Sequence, residues 1–320
     1  MNKNNENTIH EVKEKVDHLI AEVQKVIVGK QQIIELMLVA LFSGGHLLFE
    51  DVPGVGKTLL VKALAKTIQG EFSRVQFTPD LLPGDILGFS FYNTKTKEFE
   101  FRPGPIFTTI LLADEINRTT PRTQAALLEA MAEKHITIDN QTYPLDNHFF
   151  VLATQNSIEY EGTYPLPEAQ LDRFLFRLHI GYPSFEEELS LLLETQEQSL
   201  ATLKVIFTKE TLTSIKQIVS TTYLDPSVAR YALELVTATR NHPAIKLGIS
   251  PRGSLAFIQA AKSHAVIKGR TYVAPIDFQV LLPFVFKHRL LFHDRSLTDE
   301  EIELLLAEML KQIPIPVKWL

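Results

Sequence analysis

Five short apolar segments of strand length, separated by helical stretches, limit the folds that this sequence can adopt. They lie at residues 46–50, 74–77, 108–113, 149–154 and 174–180. Because most of their positions are apolar, both faces of each segment must be covered, as in a parallel sheet between two layers of helices. The sequence therefore predicts an α/β domain built on a parallel sheet.

Helical patterns occupy both ends of the chain. Apolar residues recur at the spacing of one helix face over residues 11–28, and a second apolar helix is predicted over residues 31–42. Strand patterns become rare after Pro183, and helices are predicted at residues 185–196, 209–219, 226–239, 251–267, 274–285 and 298–310. We therefore predict two domains, an α/β core with an N-terminal helix over residues 1–183 and a helical domain over residues 184–320.

Two segments inside the predicted core have the alternating pattern of β-hairpins. One covers residues 87–103 and turns at residues 93–95, and the other covers residues 135–145 and turns at residues 139–140. Both interrupt the α/β alternation and are predicted to be insertions. Four aromatic residues of the first hairpin could grip another protein or form its packed face, and the packed arrangement is preferred: Phe89, Phe91, Phe99 and Phe101.

Composition excludes several classes of function. The 320 residues are 45% hydrophobic, which is enough for a large core, and the net charge of −6 argues against nucleic-acid binding along the whole chain. Without cysteine there are no disulfides, thiolate metal sites or cysteine nucleophiles. The longest apolar run, residues 36–42, is too short to span a bilayer. We therefore expect a soluble, cytoplasmic protein without membrane insertion.

Residues 46–65, HLLFEDVPGVGKTLLVKALA, have the strand–loop–helix order of a phosphate-binding loop. They match G-x-x-x-x-G-K-[ST] except at the first glycine, where Asp51 stands. The N–H groups of residues 54–58 would hold phosphate at the helix N-terminus, Lys57 would reach the β- and γ-phosphates, and Thr58 would bind Mg²⁺. A tight turn that merely caps a helix is the competing interpretation.

Asp51 raises a difficulty, because a carboxylate beside a triphosphate would repel it. Aspartate tolerates turn and left-handed conformations better than most residues, so it could replace the glycine if its carboxylate points away. We therefore expect a working site, in which Asp51→Gly preserves ATP binding.

Polar side chains follow two of the apolar strands. Asp114 and Glu115 end the segment TTILLADE, and Asn156 follows FFVLATQ. The carboxyl ends of parallel strands meet at one edge of a sheet, so these side chains are expected near the phosphate loop. Asp114 would hold the Mg²⁺ shell, Glu115 would polarise the attacking water as a general base, and Asn156 would hold the water or touch the γ-phosphate. Alone, each signal is also compatible with an ordinary strand end or loop cap.

Three stretches, DEINRTTPRTQAALLEAM, ATQNSIEYEGTYPLPEAQLDRF and SPRGSLAFIQAAK, closely resemble the MoxR family of AAA+ ATPases. The resemblance covers roughly residues 10–315. It implies a core sheet in the strand order 5-1-4-3-2, a helical lid, Mg-ATP as ligand, and homo-oligomeric rings, usually hexamers, with nucleotide at the subunit interfaces. It also implies that the two hairpins are the helix-2 insert and the pre-sensor-1 hairpin.

Site residues follow from the resemblance position by position. Asp114 and Glu115 match Walker B, and Asn156 matches sensor 1. Thr58 and Asp114 would bind the metal. The nucleotide-binding residues, from the adenine-binding stretch through Walker A, would be Val28, Gly29, Asp51, Val52, Pro53, Gly54, Val55, Gly56, Lys57, Thr58 and Leu59.

Arginines complete the implied site. Arg173 matches the arginine finger, which acts on a neighbouring subunit, and Arg252 matches sensor 2, which could act within its own subunit or in trans. A planar guanidinium stays charged and suits the charge that develops on a transferred phosphoryl group. Nearby arginines that compete for the finger role are Arg118, Arg122 and Arg177.

The resemblance thus predicts Mg²⁺-dependent ATP hydrolysis by a ring-forming, chaperone-like remodelling or maturation factor. It implies partners outside the chain, namely a protein with a von Willebrand factor A domain and a client protein. A nucleic-acid-stimulated motor related to MCM proteins is an alternative, disfavoured by the acidic balance of the chain. A nucleotide-gated scaffold with little turnover is another, disfavoured by the intact pair Asp114 and Glu115.

Overall fold

A computed structural model describes residues 3–27, 29–52, 54–156, 162–193, 200–294 and 296–316. The N-terminal half contains the elements α1 Lys3–Gln24, α2 Gln31–Ser43, β1 Leu47–Glu50, α3 Lys57–Thr67, β2 Phe72–Gln76, α4 Pro83–Leu87, β3 Gly88–Asn93, β4 Glu98–Pro103, β5 Ile110–Asp114, α5 Pro121–Glu133, β6 His135–Ile138, β7 Gln141–Pro144, β8 Phe150–Gln155, α6 Glu168–Leu171 and β9 Phe176–Leu178. The C-terminal half contains α7 Phe185–Leu193, α8 Lys209–Thr221, α9 Pro226–Asn241, β10 Ile245–Leu247, α10 Pro251–Ile267, α11 Pro275–Phe286, β11 Leu291–Phe292 and α12 Asp299–Gln312.

The five predicted apolar strands form one parallel sheet in the order β2-β5-β8-β1-β9. Numbered as core strands one to five, this is the order 5-1-4-3-2 that the family resemblance implies, so the predicted fold class is confirmed. Strand β1 lies between β8 and β9, with Leu47 opposite both Leu152 and Phe176. The carboxyl ends of β1, β5 and β8 therefore lie side by side.

Alternate residues of the strands enter two different apolar layers, which explains why the strands are polar on neither face. Leu47 and Phe49 of β1 belong to one buried cluster and Leu48 to the other. The first cluster also contains residues of α1, α2, α3 and the C-terminal helices, and the second contains residues of α5 and the hairpins. A sheet buried on both sides holds the loops at its edge in fixed positions.

Helices of the C-terminal half pack on the N-terminal helices rather than on the sheet alone. Helix α10 contacts α2, and Ser263 of α10 donates a hydrogen bond to the carbonyl of Val39 at 2.9 Å. Both α8 and α12 begin at a threonine whose hydroxyl accepts from a first-turn N–H. No helix among the described residues is both long and apolar enough to cross a membrane.

Both predicted hairpins are present. Strands β3 and β4 pair from Gly88 opposite Pro103, and β6 and β7 turn at Asp139 and Asn140, whose φ angles of 51° and 63° suit a two-residue turn. The preference for a packed aromatic face is correct only for Phe101, which stacks on Tyr143 with 4.1 Å between ring centroids. It is wrong for the other three aromatic residues, which are largely exposed: Phe89 at 47%, Phe91 at 40% and Phe99 at 75%.

Helix boundaries differ from the prediction mainly at the N-terminus. Helix α1 runs over Lys3–Gln24 instead of residues 11–28, because its polar first turns carry no apolar periodicity that would reveal them. The predicted end of α7 at residues 194–196 lies outside the described residues.

Candidate functional site

A cavity of about 420 Å³ lies at the carboxyl edge of the sheet, where the phosphate loop meets the ends of β5 and β8. The structure brings together most of the predicted site residues there: Asp51, Gly54, Gly56, Lys57, Thr58, Leu59, Asp114, Glu115 and Asn156. It adds three residues that were not predicted, Arg74, Gln76 and Thr154.

The loop before α3 has the shape that anion binding requires. Gly54 and Gly56 have φ angles of 89° and 85°, in the left-handed region that side chains rarely adopt. A Cβ built on either glycine meets no atom within 4 Å, so their outer surface is open. Helix α3 begins at Lys57, directly after this open surface, and its first N–H groups have no partner within the helix. An open loop at a helix N-terminus fits a phosphate chain.

The flanks of the loop are held by the core. Val55 and Leu59 pack against the first apolar cluster, and Val52 is half-buried. Pro53 lies outside the described residues. The loop is therefore anchored on its inner side while its glycines face the cavity.

Asp51 turns its carboxylate away from the loop. Its two oxygens accept hydrogen bonds from the N–H groups of Ile180, at 2.8 Å, and Gly181, at 3.0 Å, and the residue is only 7% exposed. The expected direction of the side chain is thus observed. Asp51 does not adopt the left-handed conformation, because its φ is not positive. The carboxylate instead ties the loop to the chain after β9.

Lys57 lies over the loop, where its amine donates to the carbonyl of Asp51 at 3.1 Å. Burial lowers its pKa, and the charges of Asp51, Asp114 and Glu115 oppose that effect. Partial desolvation strengthens the attraction of the ammonium group for an incoming anion.

Asp114 has a partner on each carboxylate oxygen. Oδ1 accepts from the hydroxyl of Thr154 at 2.6 Å, and Oδ2 accepts from Arg74 at 2.6 Å. The same Thr154 hydroxyl accepts from the N–H of Glu115 at 2.8 Å, which fixes Asp114 and Glu115 relative to the end of β8.

Glu115 is held in an unfavourable backbone conformation. Its φ and ψ are 57° and 51°, in the left-handed region that costs a non-glycine residue roughly 1 kcal/mol or more. Its Oε2 accepts from Gln76 at 2.7 Å and from Arg118 at 3.0 Å. The carboxylate is therefore positioned beside the cavity and is engaged by two donors.

The remaining predicted residues lie at the edges of this region. Asn156 is buried at the end of β8, and its carbonyl accepts from Asn117 at 3.3 Å. Val28 lies outside the described residues, whereas Gly29 has a φ of 70° and lies against Glu187 of α7. A Cβ on Gly29 would be 1.9 Å from the mobile end of the Glu187 side chain, so the left-handed φ, rather than this contact, favours glycine here.

Mg²⁺ fits the donor set of the cavity. No group of three or more histidine, aspartate and glutamate side chains in the described ranges could hold a metal ion by itself. The cavity offers the hydroxyl of Thr58 and the carboxylate of Asp114, so phosphate oxygens and water would supply the other ligands. Mg²⁺ is commonly held in this way, by one or two protein oxygens together with substrate phosphates.

Arg173 and Arg252 line a different cavity, of about 360 Å³, which contains none of the phosphate-loop residues. Arg173 follows α6 and donates to the carbonyl of Leu128 at 2.8 Å. Arg252 is exposed in the first turn of α10. The two arginines are therefore close to each other but are not part of the loop cavity of the same chain.

The competing arginines differ in their surroundings. Arg118 forms an ion pair with Glu115 at 3.0 Å, and Arg177 forms ion pairs with Glu50 and Asp299. Both are thus engaged by carboxylates of their own chain. Arg122 is exposed at the start of α5.

The sequence contained one signal for the residues that were missed. Arg74 and Gln76 occupy alternate positions of β2, so they share a face of the strand, and Gln76 is in register with Asp114. Two polar residues at alternate positions near the carboxyl end of an apolar strand indicate side chains that face the site, so Arg74 and Gln76 could have been predicted from the sequence. Thr154 carried no such signal.

Comparisons with known proteins agree with the geometry. A family model described as the ATPase family associated with various cellular activities (AAA) matches residues 46–176, and an AAA lid domain model matches residues 237–305. The chain is 42% identical over 311 residues to the chaperone MoxR1 of Mycobacterium tuberculosis, covering 94% of this chain and 82% of the relative. It is 50% identical over 301 residues to the uncharacterized protein YeaC of Bacillus subtilis, covering 93% of this chain and 94% of the relative. A crystal structure of a candidate ATPase from Cytophaga hutchinsonii has a TM-score of 0.89 and 37% identity over 98% of both chains.

Proposed function

The chain belongs to the MoxR family of AAA+ ATPases, and from this we propose that it hydrolyses Mg-ATP between the subunits of a homo-oligomeric ring. In this proposal the ring is a hexamer, and the energy of hydrolysis remodels or matures a client protein in the cytoplasm. The relative from Mycobacterium tuberculosis is named a chaperone, which supports this direction.

The observation that carries the proposal is the separation of complementary groups into two cavities of one chain. The loop cavity holds Lys57 and the carboxylates of Asp114 and Glu115, whereas Arg173 and Arg252 lie in the other cavity. The further cations beside the carboxylates, Arg74 and Arg118, are already paired with them. We call the cavity lined by Arg173 and Arg252 the arginine cavity. If a neighbouring copy placed its arginine cavity against the loop cavity, it would supply the positive charge that the loop cavity lacks.

Within the loop cavity, each proposed role follows from the chemistry of the side chain. The N–H groups around Gly54 and Gly56 and the amine of Lys57 bind the phosphates. Thr58 and Asp114 would hold Mg²⁺, which when bound supplies positive charge to the phosphate oxygens. Asp114 would exchange the Arg74 contact at Oδ2 for this role.

The catalytic step falls to side chains at the strand ends. Glu115 accepts the proton of the attacking water, and Asn156 orients that water or the γ-phosphate. Gln76 and Arg118 both donate to Oε2 of Glu115 and so hold the carboxylate in place, and Oε1 is the oxygen that would accept the proton.

The two trans arginines would couple hydrolysis to assembly. Arg173 serves as the finger, and Arg252, which lines the same cavity, acts with it in trans rather than within its own subunit. Partners would be the client and a protein with a von Willebrand factor A domain.

Substitution of the proposed base tests this function. Glu115→Gln should lower ATP turnover at least about 100-fold, the scale of general-base loss, because the amide cannot accept the proton. Mg-ATP binding should change little, since Glu115 does not belong to the loop. Turnover by a coupled phosphate assay and binding of a fluorescent ATP analogue measure the two quantities.

The matched control is Glu308→Gln, which makes the same change at an exposed position of α12. It should retain the rate of the unmodified protein. Near-normal turnover by Glu115→Gln would overturn the assignment of the base.

A further inference from the structure

One side-chain network, built around the buried Arg289, joins the segment that carries Arg173 to the helix that carries Arg252. Its members are Asp172, directly before Arg173, Ser250, two residues before Arg252, and Arg289 in the turn after α11. Asp172 and Arg289 also line the arginine cavity. None of the three belongs to the phosphate loop or the strand ends.

Arg289 is fully engaged inside the protein. It is 7% exposed, and its five guanidinium hydrogens have five recorded acceptors: Asp172 Oδ1 at 2.7 Å and the carbonyls of Asp172, Phe174, Leu175 and Val285. Four of these acceptors lie on the chain segment 172–175, which leads from α6 to β9. A buried charge is tolerated only with such complete pairing, and lysine could not reproduce the planar set of donors.

Asp172 uses its second carboxylate oxygen to reach the helical domain. Oδ2 accepts from the hydroxyl of Ser250 at 2.9 Å, and the oxygen of the same hydroxyl accepts from the N–H of Gly253 at 3.0 Å. The hydroxyl thus donates its proton to Asp172 while it caps α10. Ser250 therefore caps α10, whose first turn carries Arg252. The same hydroxyl is bound to Asp172, which directly precedes Arg173.

The close contact at Gly253 supports the same connection. A Cβ on Gly253 would lie 3.1 Å from Cδ of Arg289 and 2.8 Å from Ile249. The first turn of α10 therefore packs closely on the stem of Arg289, and a larger residue at 253 would force Ile249 to shift. The side chain of Arg289 contacts both elements, by hydrogen bonds on one side and by packing on the other.

We propose that Asp172, Ser250 and Arg289 are positioning residues that hold Arg173 and Arg252 as one preformed unit for the phosphate of a neighbouring subunit. The inference rests on the proposed trans roles of the two arginines. Its physical basis is that two cations aimed at one transferring group must keep a fixed separation, and a misplacement of 1 Å can cost about 100-fold in rate. The network performs no chemistry itself.

The most selective variant is Ser250→Ala, because it removes the bridge to Asp172 and leaves the ion pair of Asp172 with the buried Arg289 intact. Thr208→Ala is the matched control, since Thr208 caps α8 through the N–H of Thr211 and is not part of the network. Both variants lose one helix cap. Ser250→Ala should lower ATP turnover about 10-fold, with binding of the ATP analogue within about twofold of normal, whereas Thr208→Ala should retain normal turnover.

Mixing subunits separates positioning from general damage. A Ser250→Ala subunit has an intact loop cavity, and a Glu115→Gln subunit has an intact arginine cavity. An equal mixture should therefore regain turnover at interfaces where the Ser250→Ala subunit binds ATP and the Glu115→Gln subunit supplies the arginines. Arg173→Ala mixed with Glu115→Gln is the reference for this rescue. Arg289→Met, if it folds by circular dichroism, should behave as Ser250→Ala does.

Three outcomes would overturn the inference. Ser250→Ala could turn over ATP as Thr208→Ala does, or its loss could persist in the mixture while the loss of Arg173→Ala is rescued. Either result would remove the positioning role and leave the proposed function standing. Failure of rescue for Arg173→Ala as well would instead reject the trans arginines, and the inference with them.

Discussion

At the scale of single residues, each acidic group of the site is fixed by its own partners: Asp114 by Thr154 and Arg74, Glu115 by Gln76 and Arg118, and Asp51 by two backbone N–H groups. Lys57, Asp114 and Glu115 were predicted at one sheet edge because each carries a local signal after an apolar strand. The partners of Asp51 were not predictable, because Ile180 and Gly181 lie about 130 residues further along the chain and contribute only backbone N–H groups. Contacts made by backbone N–H groups cannot be predicted from the pattern of side chains in the sequence.

Asp51 has a structural role that can be measured. Asp51→Ala leaves the N–H groups of Ile180 and Gly181 without their charged acceptor in a buried position, so the free energy of unfolding should fall by about 2 kcal/mol. Asp51→Asn keeps one acceptor oxygen but turns an NH2 donor towards the other buried N–H, so it should lose about as much. Urea unfolding measures the difference, and two variants as stable as the unmodified protein would exclude the anchoring role. ATP binding by folded Asp51→Gly should persist, as the sequence predicts.

At the scale of helices and strands, apolar runs predicted the location of each core strand, and alternating segments on both sides of a turn predicted both hairpins. The ends were less accurate: residues 174–180 were predicted for β9, but pairing with β1 covers only Phe176–Leu178. An apolar run shows that a segment is buried, whereas strand ends depend on where the neighbouring strand stops. The direction of each hairpin aromatic also depends on its neighbours, since Phe101 packs against Tyr143 of the other hairpin and against Phe107.

The two hairpins should therefore be coupled through one ring pair. Phe101→Ala removes the stacked contact with Tyr143 and should lower the free energy of unfolding by about 2 kcal/mol. Phe99→Ala changes an exposed ring of the same strand and should cost less than about 0.5 kcal/mol. Equal losses in thermal or urea unfolding would show that the stacking has no special role.

His46, directly before β1, is hydrogen-bonded to β8 and to α5, and these two contacts depend on the protonation state of its ring. Its Nδ1 accepts from the N–H of Val151 in β8 at 3.0 Å, so its Nε2 donates to the carbonyl of Met131 in α5 at 3.2 Å. Burial, aided by the charges of Lys134 and Lys216, lowers the pKa of His46 to about 4. The neutral ring is therefore the form that the fold requires.

The resulting pH dependence has a definite sign. The unfolded chain takes up a proton on this residue near pH 6.5 and the folded chain only near pH 4, so His46 contributes stability above pH 6.5 that is lost as the pH falls towards 4. The loss should reach about 3 kcal/mol. His46→Gln cannot titrate, so the stability difference between it and the unmodified protein should shrink over this range in urea unfolding at several pH values. A constant difference would contradict the lowered pKa.

At the scale of the whole molecule, the family resemblance predicted the sheet order and the helical lid, and both are confirmed. The arginine cavity could not be predicted from local patterns, because it is assembled from residues 43–46, 131–134, 172–175 and 252–259 together with Arg289. These segments meet only through the packing of the C-terminal helices on the core. The boundary at residue 183 and the ring itself stay predictions. Each chain carries the loop cavity and the arginine cavity as separate sites. We therefore expect ATP hydrolysis only where the loop cavity of one subunit meets the arginine cavity of its neighbour.

The most direct test of interfacial hydrolysis is the ATP turnover of Arg173→Ala and Glu115→Gln, measured separately and as an equal mixture. Each variant alone should be nearly inactive, because every interface lacks either the finger or the base. In a randomly mixed ring about a quarter of the interfaces pair an intact loop cavity with an intact arginine cavity, so turnover should rise well above that of either variant. A mixture no more active than the sum of its separate components would contradict hydrolysis between subunits.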